Sequence, residues 1–105
     1  MKGTIQEIAA KIAEEIDKAS RKTKEDLYMV HIYLQSYSDG PNSNGRYHEI
    51  QTDKSYGASS KALQIVNAAI RKVDKNQTIY FTDQPEGDTD ESFKKALDEE
   101  IGKRI

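Results

Sequence analysis

Apolar residues recur along this chain with two different periods. Ile5, Ile8, Ile12 and Ile16 fall three or four residues apart, with Ala9 and Ala13 beside them. That is the stripe of a helix with one buried face. Thr4 stands just ahead of the stripe and Glu7 three residues later, which is a capping box: hydroxyl and carboxylate each accept from a backbone amide near the other residue. Together they predict a helix over residues 5–19, closed by Lys18, Arg21, Lys22 and Lys24, cations that suit the negative end of a helix dipole. Residues 27–37 read differently. Tyr28, Val30, Ile32 and Leu34 alternate with Leu27, Met29, His31, Tyr33, Gln35 and Tyr37. Neither set is fully polar, so the segment is expected to be a central strand covered on both sides.

The stretch SDGPNSNG over residues 38–45 is dense in turn formers. A second strand is expected over 46–52, with Tyr47 and Ile50 as its only sizeable apolar residues. A short third strand around Tyr56 is an open alternative for 54–58. Ser59 or Ser60 then caps a helix whose apolar face is Leu63, Val66, Ala69, Ile70 and Val73, ending at Asn76. Residues 77–83 read as a strand and 84–89 as a loop. Residues 90–103 read as a last helix with the stripe Phe93, Leu97 and Ile101.

The predicted order is α–β–β–(β)–α–β–α in one domain, residues 1–105. It comprises an N-terminal helix (1–24), a sheet with a central helix (27–83) and a C-terminal helix (90–105). The fold class is therefore α/β (α+β), a small mixed sheet of three or four strands with helices packed on it. The expected core is Ile12, Ile16, Val30, Ile32, Leu34, Leu63, Val66, Ile70, Ile79, Phe81 and Leu97. On this reading, truncating Ile32 or Phe81 to Ala costs about 2–5 kcal/mol.

Composition narrows the function classes. The chain has 105 residues, 32% of them charged, with a net charge of -2. It has no global basic excess to drive binding to nucleic-acid phosphates, so direct nucleic-acid binding is not expected. For the same reason the Lys18–Lys24 run reads as a solvated helix end rather than a phosphate contact. Cysteine is absent, which removes disulfides, thiol catalysis and cysteine–zinc sites and suggests an intracellular protein. No apolar run approaches the roughly 20 residues that span a bilayer, and the N-terminus lacks the apolar centre of a secretory signal. A cytoplasmic location and no membrane partner are expected.

Chemistry is sparse. The two histidines, His31 and His48, fall several residues apart on the predicted hairpin, too few and too distant for a zinc or iron site. They read as ordinary strand histidines. No nucleophile elbow, Walker motif or dinucleotide-binding glycine pattern is present. The glycines of 39–45 do not open a helix and belong to a hairpin loop. No catalytic residue, metal or cofactor is expected.

Two segments are candidate binding surfaces. Residues 83–91 hold Asp83, Glu86, Asp88, Asp90 and Glu91 without a single Lys or Arg. Such acids complement the start of a helix. Asp83, at a strand end, would also suit a Mg²⁺ ligand, and the patch would also imitate nucleic-acid phosphates in a basic groove. The second candidate is the hairpin around Tyr37, Arg46 and Tyr47. Six tyrosines against two phenylalanines is an unusual balance, and tyrosine suits interfaces.

Ile32-Tyr33-Leu34-Gln35-Ser36, then Gly40-Pro41, Asn44-Gly45 and Tyr47, resemble the first hairpin of ribonuclease H-like proteins of bacteria and their phages. The next helix and Ile79-Tyr80-Phe81-Thr82-Asp83 are similar to that family's central helix and fourth strand. The resemblance covers about residues 27–84 and implies a nuclease in which carboxylates hold two Mg²⁺ ions. Carried over by position, the first-strand aspartate falls on or next to Gln35 and the helix glutamate near Ala62; only the fourth-strand aspartate survives, as Asp83. The resemblance therefore implies a degenerate, non-catalytic relative.

The functional expectation is a non-catalytic protein-binding domain. The class it fits is an accessory or inhibitory protein of a phage or mobile element, acting in a bacterial cytoplasm on a nucleic-acid-handling enzyme, as anti-CRISPR proteins do. Its partner would be a protein, one with a basic nucleic-acid-binding groove if the acidic segment is the contact. The alternatives are a ribonuclease H-like metal-dependent nuclease using Asp83, and a structural module that forms homo-oligomers.

Overall fold

The computed structural model of the chain describes residues 2–36, 60–74, 79–83 and 89–105. Its elements are β1 (Lys2–Gly3), α1 (Ile5–Thr23), α2 (Leu27–Ser36), α3 (Ser60–Val73), β2 (Tyr80–Phe81) and α4 (Thr89–Arg104). The described residues are mostly helical. Among the described residues the expected mixed sheet of three or four strands is replaced by a two-stranded parallel pair, with Lys2 opposite Tyr80 and Gly3 opposite Phe81.

The largest correction is α2. Residues 27–36, expected as a central strand, form a helix. Asp26 starts it: its carboxylate accepts from the Tyr28 amide at 2.9 Å and its carbonyl from the Met29 amide at 3.0 Å. Helical spacing then puts Leu27, Val30, His31 and Leu34 on one side. Val30 and Leu34 are fully buried, whereas Ile32, counted in the expected core, is 37% exposed on the other side. The strand on which the ribonuclease H resemblance laid its first hairpin is therefore helical here.

α1 forms as its sequence predicts and runs one turn longer, to Thr23. The Thr4 hydroxyl accepts from the Glu7 amide at 3.1 Å, and the Glu7 carboxylate from the Thr4 amide at 3.4 Å. At the other end Lys24 turns left-handed (φ 58°), which lets the Glu25 amide donate back to the Ser20 carbonyl at 2.8 Å. Ile8, Ile12 and Ile16 are wholly buried. Each such side chain contributes about 1.5–3 kcal/mol by leaving water.

The two strands explain how the helices lie. β1 leads into α1, and β2 leads toward α4. Because β1 and β2 are parallel, α1 and α4 run side by side in the same direction, with Gln6 meeting Glu100 and Arg104 meeting the Ala10 carbonyl. α3 runs antiparallel to α1, as the Glu15–Lys72 and Glu25–Lys61 ion pairs show. α2 lies antiparallel to α4, with His31 against Asp98. One core fills the space between the helices. It includes the expected Ile12, Ile16, Val30, Leu34, Val66, Ile70, Ile79, Phe81 and Leu97, together with Ile8, Ile65, Phe93 and Ile101. Phe81 and Phe93 stack at 5.4 Å between ring centres and tie β2 to α4. The backbone of Leu63 is helical, but its side chain lies outside the described residues.

Candidate functional site

α2 carries the most distinctive surface among the described residues. Its inner side belongs to the core, yet Tyr28, Met29 and Ile32 are 52, 41 and 37% exposed. These three side chains sit at helix positions i, i+1 and i+4, so they share the outer side of one helix. Single exposed apolar residues are ordinary; three large ones on one short helix form a candidate contact surface. Its only titratable groups besides tyrosine are on His31, and His31 turns inward.

His31 sits in the seam between α2 and α4. Its Nδ1 is 3.1 Å from Asp98 Oδ1, and the two side chains are 18 and 23% exposed. Neither atom has a hydrogen-bond partner, so the close approach lacks the geometry of a directed bond. Burial pushes the Asp98 carboxyl above the usual carboxylate range; His31 and Lys94 oppose that shift and Glu99 adds to it. Gly102, one helical turn beyond Asp98, leaves bare backbone against the ring: a Cβ there would stand 3.3 Å from His31 Cε1. An open groove beside the pair is lined by Leu34, Gln35, Lys94, Lys95 and Asp98. The seam joins two helices through an imidazole and a carboxylate.

The sequence-predicted sites fare unevenly. Asp83 is exposed and serves the start of α1. Its Oδ1 accepts from the Ile5 amide at 2.7 Å, one of the amides that a helix start leaves without an internal partner. The Thr82 amide donates to the Gly3 carbonyl at 2.8 Å alongside. The reading of acids supporting a helix start thus holds for Asp83, but the helix is α1 rather than α4. Asp90 and Glu91 lie in the first turn of α4, with side chains outside the described residues. Glu86 and Asp88 lie outside them altogether, as do Tyr37, Arg46, Tyr47 and His48, and with them the expected strand over 46–52 and the alternative strand over 54–58. Among the described residues no three His, Asp or Glu side chains gather where they could hold a metal ion. No described helix is long and apolar enough to cross a membrane.

Sequence reasoning missed the outer face of α2. The signal was present in the spacing Leu27, Val30, His31, Leu34, which leaves Tyr28, Met29 and Ile32 together on the far side. Reading the segment with a period of two hid it.

A second polar cluster holds α4 to α1. The buried Glu100 accepts from Gln6 Nε2 at 2.7 Å and is approached by Lys103 and Arg104, each at 3.4 Å. Burial raises the Glu100 carboxyl, but the Gln6 hydrogen bond and the Lys103 and Arg104 cations outweigh it, leaving it below the ordinary glutamate value of 4.5. The Gln6–Glu100 and Arg104–Ala10 contacts join the two parallel helices, while Lys103 pairs with Glu100 within α4. No protein-family model, no curated protein and no solved structure matches this chain.

Proposed function

We propose that this chain is a non-catalytic binding domain that meets a protein partner through helix α2. The observation that carries the reading is the exposure of Tyr28, Met29 and Ile32 on a helix whose opposite side is sealed into the core. Tyrosine and methionine are enriched at protein interfaces, where they supply contact area and adaptable packing. A single exposed helix face of this kind docks into an apolar groove, with anchors at helical spacing. The occupant of α2's outer face is thus a protein offering such a groove. The finer reading, an inhibitor of phage or mobile-element type directed at a nucleic-acid-handling enzyme, draws its support from the acidic composition of residues 83–91 and from the net charge of -2.

The test uses the full chain as bait in a bacterial lysate, with Tyr28→Glu/Ile32→Glu as the paired control. Both positions are exposed, so the double variant is expected to stay within about 1 kcal/mol of the wild type. A partner held by the wild type should be lost at least tenfold in the double variant. It should persist in Asp90→Asn/Glu91→Gln. Equal capture by wild type and double variant removes α2 as the contact. Loss only in the acidic variant moves the site to the start of α4. A dimer in sedimentation that the α2 substitutions dissolve makes the partner a second copy of the chain.

A further inference from the structure

We draw no further inference here: the strongest candidate, the groove between α1 and α3 rimmed by Lys18, Lys22 and Lys72 over Ala19, Ala68 and Ala69, has Lys18 and Lys72 already paired with its own Glu15, and nothing in the structure shows what would cover it.

Discussion

Helices α1 and α2 rest on the same core and are held there in opposite ways. α1 buries Ile5, Ile8, Ala9, Ile12, Ala13, Ile16 and Ser20. Both its ends are closed by side chains or a left-handed cap, and it takes polar contacts from three other elements, through Asp83, Glu100 and Lys72. α2 is about half as long. Its fully buried anchors among the described side chains are Val30 and Leu34, its start is set by Asp26, and His31 meets Asp98 of α4. What α1 spends on closure, α2 leaves as apolar surface. Most helical stability comes from packing one side against a core, and the opposite side of α2 carries the exposed Tyr28, Met29 and Ile32. The difference predicts that damage to α1 and to the inner side of α2 costs much more stability than damage to the outer side of α2, where the proposed partner would bind.

The sharpest way to break that comparison is within α2 itself. Leu34 is fully buried and Ile32 is 37% exposed, two residues apart. Leu34→Ala should cost about 2–5 kcal/mol in urea unfolding, because it removes core contacts and leaves a cavity. Ile32→Ala should cost less than about 1 kcal/mol, as exposed substitutions do. The strand reading placed both residues on one buried face and expected a loss of about 2–5 kcal/mol at Ile32. Equal losses in the measurement would restore it. Phe81→Ala remains a core substitution, since Phe81 is buried against Phe93, and should cost about 3–5 kcal/mol.

The next effect lies at the start of α1. Asp83→Ala removes the carboxylate that receives the Ile5 amide. Side-chain caps are worth about 0.5–2 kcal/mol, and Asp83 is exposed, so a loss near 1 kcal/mol is expected. Binding of an α2-directed partner should not change. If Asp83→Ala leaves the melting temperature alone but weakens partner capture, the acidic segment is a contact surface after all, and α1 does not depend on it.

Glu100 gives the third test, through pH. Its carboxyl is held below the ordinary value of 4.5 in the folded chain by Gln6, Lys103 and Arg104, against the opposing pull of burial. A carboxyl whose folded value is depressed contributes stability that is full above the unfolded value and disappears as pH falls through the folded one. Wild type should therefore lose melting temperature faster than Glu100→Gln as pH drops below about 4.5, and the two curves should converge in strong acid. Parallel curves from neutral to acid pH would show that Glu100 ionisation is not linked to folding.

Much of this architecture was legible because α1, α3 and α4 announce themselves. The isoleucine stripe and the Thr4–Glu7 box give α1. Val66, Ala69 and Ile70 give α3, and Phe93, Leu97 and Ile101 give α4, all in their observed places. α2 was misread because Leu27 to Leu34 is apolar or aromatic at almost every position. A stripe shows a period only against polar neighbours, and Val30, Ile32, Tyr28 and Tyr33 carry strand propensity that the core overrides. The role of Asp83 was hidden for another reason. Its partner amide is 78 residues away, and no local pattern reports a contact made only once β1 and β2 have paired.

The smallest expected effect probes the seam that holds α2. Glycine inside a helix costs about 1 kcal/mol relative to alanine, so Gly102→Ala in the last turns of α4 would by itself stabilise the chain. The new methyl, however, would stand 3.3 Å from His31 Cε1, closer than a relaxed carbon contact, against a ring that lies 3.1 Å from Asp98. The two effects have similar size and opposite sign. Gly102→Ala alone should therefore shift stability by less than about 0.5 kcal/mol, while the same change in a His31→Ala background should release the full helix gain of about 1 kcal/mol. The coupling in that double-mutant cycle measures how firmly the imidazole is seated. A full gain in the wild-type background would mean that His31 yields freely and that apolar packing through Leu27, Val30 and Leu34 holds α2 against the core without it.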